Sequence, residues 1–504
     1  MRITGGESAD ADRTDPGTPV ATPPARTDAA RRMFGRDGLY FAAYSMQFVS
    51  SAVVAPVLAR ELGGTGFGVV ATDLAVMQLC VIIINLGINS GVQRTFARNG
   101  LAAARAAAGL GMVAAIGLGA LLWVTTSMWA SGVGLQGQET SLRMAVAWSG
   151  LAAATNAVAA MARSLDRLRA YAIITVTQSV AAQAAGLVLA AVQHRQPYGY
   201  FEGALACQAV ALAMACVVAR PTVRIVKQRS AMGPMMIFSL GMLPQGVASF
   251  VLSSADRIIV QRDLGPWAVG RYQLAYNLGA VGILLAASLN GAWIPTLLAI
   301  TSRDHLAQVL EETRDRLGWL VVTSVVGMAV GFPAILILWV PRQDLPSHLV
   351  GVLMCVVAST IFYVFFTLSA RAYIVDGRSW WVASATLAGA VANVPLNLVL
   401  VPRLGILGSA VATTASYAVS WVAVLCGMRG SDLAPGPNWR LVAGLAAASG
   451  LCTLSVFVPV DGAWLVSRWV LAAWALAVMT WQTGVLRWIG QRSGVTAKEP
   501  FAGR

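Results

Sequence analysis

The residues of this sequence with the means to do chemistry are polar side chains that recur every three or four positions inside long apolar runs. Gln245, Ser249, Ser253 and Arg257 follow a spacing of four, and so do Ser359, Tyr363, Thr367 and Arg371. Tyr40, Tyr44, Gln47 and Ser51 are spaced four, three and four. Gln78, Asn85, Asn89 and Gln93 form a further run, and Tyr272, Gln273, Tyr276 and Asn277 open another. Residues at i and i+4 share one face of a helix. In an apolar medium such a face turns toward protein or water rather than toward hydrocarbon. Two uses fit these stripes: hydrogen bonds that hold helices together, or the wall of a hydrated cavity.

Arginines stand at the ends of several stripes. A planar guanidinium donates two parallel hydrogen bonds, the geometry that suits a phosphate. Arg257 is the first candidate for holding an anion, followed by Arg271, Arg371 and Arg94. Arginines near helix ends also snorkel to lipid headgroups, and both uses stay open. Asp73 is the carboxylate well inside an apolar run, and Asp256 stands beside Arg257. These two are the candidates for ion coupling, with a local pair to Arg257 as the alternative for Asp256.

Bond-making chemistry is not expected. A phosphate-binding Walker loop needs Lys followed by Ser or Thr, but Lys227 precedes Gln and Lys498 precedes Glu. Cys80, Cys207, Cys216, Cys355, Cys426 and Cys452 all lie in apolar runs without a CxxC pair, where cysteine behaves as a small hydrophobe. His194, His305 and His348 fall in connectors and build no zinc site at helical spacing. Glu311 and Glu312 sit among Arg314, Asp315 and Arg316, as on a solvated helix face. No cofactor or metal is expected, and the protein reads as a non-enzyme.

The elements that position these residues follow from composition. Of 504 residues, 57% are hydrophobic and 12% charged. Soluble domains carry roughly twice that charge, about 25%, so the bilayer is the solvent for most of the chain. The net charge of +14 does not imply nucleic acid, because the basic residues sit in short connectors between apolar runs. A crossing needs about 20 apolar residues. Fourteen runs qualify, near 39–59, 68–92, 106–129, 142–162, 171–192, 201–219, 235–255, 268–291, 317–340, 349–371, 380–401, 404–427, 440–460 and 463–485. Pro244 is expected to break the seventh. With the N terminus inside, 27 of the 36 basic residues fall on the inner side. That asymmetry predicts N-in and C-in.

Arg60-Glu61-Leu62-Gly63, followed by Gly68, matches Arg262-Asp263-Leu264-Gly265, followed by Gly270, at an offset of 202 residues. The offset spans six crossings, so both copies face one side. The expected architecture is all-α: two six-helix lobes and two C-terminal helices. The segments are a disordered cytoplasmic tail (1–36), an N-lobe (37–230), a C-lobe (231–430), two further spans (431–486) and a cytoplasmic tail (487–504). Repeats of this kind recur in transporters, with the path between the lobes.

Three stretches carry a family resemblance. Val53 to Gly91 reads VVAPVLARELGGTGFGVVATDLAVMQLCVIIINLGINSG, Ala255 to Ala275 reads ADRIIVQRDLGPWAVGRYQLA, and Asn393 to Thr413 reads NVPLNLVLVPRLGILGSAVAT. In this order they resemble the polysaccharide transporters of the multidrug, oligosaccharidyl-lipid and polysaccharide exporter superfamily. The long polar tail departs from the pattern. The resemblance implies a MATE-like flippase of the bacterial inner membrane. Its cargo would be a polyprenyl-diphosphate-linked oligosaccharide, moved by alternating access for cell-surface polysaccharide synthesis. Its expected partners are that glycolipid, membrane lipids and other polysaccharide-assembly proteins, without nucleic acid. The alternatives are a multidrug or small-solute cation antiporter of the same superfamily, or a membrane glycan polymerase. A polymerase ordinarily needs a large catalytic loop, and no connector here is long enough.

Overall fold

A computed structural model describes residues 36–193, 196–223, 229–284, 286–287, 302–340, 348–427 and 438–483. The helices in order are α1 (Arg36–Asn85), α2 (Ile88–Val124), α3 (Glu139–Ser164), α4 (Leu168–Val176), α5 (Ala182–Val192) and α6 (Pro197–Ala219). They continue with α7 (Arg229–Ser253), α8 (Ala255–Leu264), α9 (Pro266–Gly279), α10 (Arg303–Trp339) and α11 (His348–Val375). The last four are α12 (Ser379–Leu404), α13 (Ile406–Gly427), α14 (Trp439–Phe457) and α15 (Gly462–Thr483). Both tails lie outside the described residues.

Eleven described stretches are long and apolar enough to cross a membrane. The first is the 72-residue stretch Val53–Val124. Backbone breaks at Gly63, at Leu86-Gly87 and at Gly100 divide it, so it holds more than one crossing. The eighth expected run, 268–291, passes into residues outside those described. The expected fourteen therefore compares with eleven qualifying stretches, one of them compound. Pro244 does not break the seventh span: α7 runs through both Pro234 and Pro244. Proline is tolerated inside membrane helices because neighbouring groups satisfy the freed backbone.

Small residues set how closely the helices pack. The buried face of α2 is built largely from Ala103, Ala104, Ala107, Ala108, Gly111, Ala115 and Gly119. Gly119 lies directly against Gly150 of α3. Without a hydrophobic force between helices in lipid, close backbone approach and dispersion hold them together. Large apolar side chains instead cover the outside, among them Val217, Ile237, Phe457 and Trp481. The densest packing joins α2, α3 and α6 in one group and α11, α12 and α13 in another. The two groups meet where α9 lies on α1 and where α7 lies on α2. Helices α14 and α15 pack on α10. There Arg468 donates to the carbonyls of Val330, Ser455 and Val458 and to the Ser455 hydroxyl, at 2.9–3.1 Å.

The repeated motif marks the first meeting point. Gly63 (φ 71, ψ 170) and Gly265 (φ 81, ψ 173) have nearly the same backbone conformation. That region is essentially open only to glycine. Each glycine starts a new helix, and the two new helices touch. A Cβ on Gly68 would fall on the Pro266 carbonyl oxygen, and one on Gly270 would fall on the Gly64 carbonyl oxygen. Shifting by the repeat offset turns one contact into the other. The second meeting point is also made by glycines: Gly87 and Gly91 leave no room for a Cβ beside Ser239 of α7.

Candidate functional site

Between these two glycine contacts lies a cavity of about 660 Å³. Its α1 wall is Leu74, Met77, Gln78, Val81 and Ile82, the stretch between Gly68 and Gly87. Helix α3 adds Trp148, Ala152 and Asn156, spaced every four residues. Helix α6 adds Tyr200 and Gln208, and α7 adds Gly246, Ser249, Phe250 and Ser253. Gln178, Ser179 and Gln183 complete the wall. Gln178 and Ser179 lie on a π-helical turn, Thr177–Ala181, between α4 and α5. Single π turns inside α-helices occur often at functional sites, because they re-aim side chains.

Hydrogen bonds hold the wall in shape. Gln208 accepts from Trp148 Nε1 (3.1 Å) and donates to Thr155 Oγ1 (2.8 Å). Gln183 accepts from Ser50 (3.1 Å), and Gln78 accepts from Ser254 (2.8 Å). The last bond ties α1 to the break between α7 and α8. None of the described lining residues is acidic or basic.

The expected anion site has a different setting. Helix α7 ends at Ser253 and Arg257 lies on the separate helix α8, so the stripe Gln245–Ser249–Ser253 does not continue into it. Arg257 is 4% exposed. Its Nη1 pairs with Asp256 Oδ1 at 2.6 Å and donates to the Ser253 carbonyl, and its Nε donates to Gln273 Oε1 at 2.9 Å. The guanidinium stacks on Tyr276, 3.9 Å from the ring centre. Asp256 also accepts from the Tyr272 hydroxyl and, at 3.5 Å, from Thr413. This cluster is a buried brace joining α8, α9 and α13. Asn277 accepts from Gln273 at its edge, and Tyr363 meets Tyr417 edge-on at 5.5 Å.

The other expected residues scatter. Arg271 stacks on Trp267, 3.6 Å from the ring centre, beside the Gly64 contact. Arg371 is buried in α11. Arg94 lies over Phe238 of α7 at 4.3 Å, at the second glycine contact. Next to it, Gln93 accepts from Arg163 Nη2 at 2.7 Å once its amide is turned. Asn85 donates to the Ala153 carbonyl (3.3 Å), and Gln245 donates to Thr386 (3.3 Å). Both bonds join helices. Asn89 lies beyond the Leu86-Gly87 break and accepts from Ser90 N. Gln47 falls on α1, with its side chain outside those described. Asp73 is fully buried, with Ser141 nearby, and neither carboxylate oxygen has a hydrogen bond of good geometry.

The first half of this architecture matches a known pattern. Residues 38–301, just over half of the chain, match the profile of the polysaccharide biosynthesis protein family. The chain belongs to that family. This family member also shares its fold with solved transporters. Against the lipid II flippase MurJ in an inward closed conformation the TM-score is 0.64 at 12% identity, covering 88% of this chain and 98% of that one. Against an inward-facing multidrug resistance MATE family transporter of the MOP superfamily it is 0.56 at 14% identity, covering 81% and 96%. For the Vibrio cholerae MATE transporter VcmN in its bent form it is 0.50 at 13%, covering 85% and 99%. At these identities the likeness is one of fold. No curated protein sequence matches the chain. The family model and the shared fold agree on an all-helical, multi-pass membrane protein.

Sequence reasoning passed over most of the cavity wall. Trp148, Asn156 and Gln208 are isolated polar or aromatic residues in helices rich in alanine, and Gln178 and Tyr200 stand among local polar and aromatic neighbours with no stripe. The signal for α3 was the spacing of Trp148 and Asn156 at twice four, obscured by Ala152 between them.

Proposed function

We propose that this protein is a flippase. It carries a polyprenyl-diphosphate-linked oligosaccharide from the inner to the outer leaflet of the bacterial inner membrane. The observation that carries this reading is the cavity between two glycine contacts, with side-chain amides set in its apolar wall, in a member of a polysaccharide biosynthesis family. A lipid-linked glycan has a head that hydrocarbon cannot dissolve, and this cavity offers amides and hydroxyls at membrane depth. Two lobes, 37–230 and 231–430, would rock about the cavity. In one state the α1–α9 contact is closed, and in the other the α2–α7 contact is closed. Spans in 431–486 are additional, and both termini are inside.

Within this cycle Arg94, with Arg163 close by, meets the diphosphate at the inner end. Arg271 receives it at the outer end beside Trp267. Arg257 and Asp256 act as positioning residues that keep α8 on α9, with Gln273 and Asn277 extending the brace. The absence of a carboxylate among the described lining residues speaks against a cationic drug as cargo.

The test is to delete the protein, extract the polyprenyl-linked glycans and sort them by leaflet with an impermeant probe. A defined lipid-linked oligosaccharide should accumulate on the inner leaflet, be cleared by the wild-type protein and persist with Arg94→Ala. Unchanged glycolipid pools with altered sensitivity to cationic drugs would overturn the reading in favour of an antiporter.

A further inference from the structure

The lining of the cavity constrains its occupant more tightly than the fold does. Its volume of about 660 Å³ lies in the range of small-molecule sites, roughly 300–1,000 Å³. A carboxylate or sulfate inside it would meet no facing countercharge from the described lining residues. Side-chain amides dominate its polar surface, and each amide both donates and accepts. Sugar hydroxyls and acetamido groups do the same. Trp148 and Phe250 also line the cavity, both largely buried in the helix packing.

The hydrogen-bond pattern also leaves capacity turned toward a ligand. Gln78 and Gln183 are each held through the amide oxygen, so their NH2 groups remain as donors. Two donors therefore face one space, from α1 and α5.

We propose that this cavity binds an uncharged saccharide unit, a hexose or N-acetylhexosamine, and excludes uronic or other acidic sugars. The proposal deepens the flippase reading and rests on it for biological meaning. The diphosphate stays outside the cavity, near the arginines, while the neutral glycan fills it.

The direct test is binding of free trisaccharides to the full chain in lipid nanodiscs, by isothermal titration. Maltotriose and triacetylchitotriose are the neutral probes, and trigalacturonate is the acidic one. At least one neutral probe should bind about tenfold or more tighter than trigalacturonate. Gln78→Leu should weaken it about tenfold, the value of one well-placed hydrogen bond. Ser249→Trp, at an exposed position of the wall, should abolish binding without altering thermal unfolding. Equal affinities, preference for trigalacturonate, or no binding of either neutral probe at millimolar concentration would each overturn the assignment. Leaflet sorting of the lipid-linked glycan reads the flippase proposal separately. Neutral-sugar binding without flipping defeats the flippase alone, and flipping without neutral-sugar binding defeats the cavity assignment alone.

Discussion

Substituting Gly68 with alanine tests the proposed cycle at its tightest point. The added Cβ would meet the Pro266 carbonyl oxygen, part of a backbone that cannot rotate away. The helix around position 68 is kept in both states of a rocking cycle, so the helix propensity of alanine cancels between them. The clash acts only where α1 and α9 are in contact. Overpacking of this kind costs about 1–3 kcal/mol, which corresponds to a shift of about 5- to 150-fold toward the state in which α1 and α9 part. Spin labels at Thr65 and Leu264, both exposed and flanking the contact, would report it by double electron–electron resonance. Gly68→Ala should raise the population at longer distance, and Gly270→Ala should do the same through the Gly64 carbonyl. The double variant should shift less than the sum, because both substitutions open one contact. Gly117→Ala, with open space around it, should leave the distribution unchanged. A folded Gly68→Ala protein with the wild-type distribution would refute the idea that this contact is a gate.

Asp256→Asn leaves the Arg257 guanidinium buried and unpaired, and should destabilise the protein by about 3–5 kcal/mol. Adding Arg257→Met should recover part of that loss in thermal unfolding; no recovery would mean that Asp256 acts through other partners. Arg468→Met removes four hydrogen bonds that fasten α15 to α14 and α10. Limited proteolysis should then release the C-terminal spans at lower temperature while the unfolding of α1–α7 is unchanged. Asp73→Asn replaces a buried carboxyl lacking well-formed hydrogen bonds with a neutral group of the same shape. Its midpoint of thermal unfolding at neutral pH should equal or exceed that of the wild type, and a marked drop would point to a partner that holds the charge.

Much of the helical layout could be read from the sequence, because a crossing needs an apolar run of known length. The repeated motif was legible as well, and Gly63 and Gly265 take nearly the same backbone conformation. That the two copies would touch was not legible: self-similarity says that two segments are alike, not that they are neighbours. The stripe ending on Arg257 was misread for a local reason. Extending the stripe from Ser253 to Arg257 assumed an unbroken helix, and the chain turns at Ser254 (φ −148). The adjacent Asp256, already a possible partner in the sequence, is the group that takes the guanidinium. In α1 and α2 the run from Asn85 to Asn89 was misread in the same way across Leu86-Gly87. The cavity wall was hidden because each helix supplies only one or two polar residues, and no spacing rule applies to a single glutamine. The π turn that aims Gln178 has no local sequence signature at all.

The paired contact between Gly68 and Pro266 and between Gly270 and Gly64 has the logic of an isologous dimer, in which residue i meets j and j meets i. Two separate chains, each carrying one copy of the motif, would make this interface with each other before any linker joined them. Fusion would then free the copies to diverge, and Gly64 in the first copy where the second has Pro266 is one such difference. A half-length chain covering one repeat therefore carries a self-complementary surface, and its natural partner is a second copy of itself.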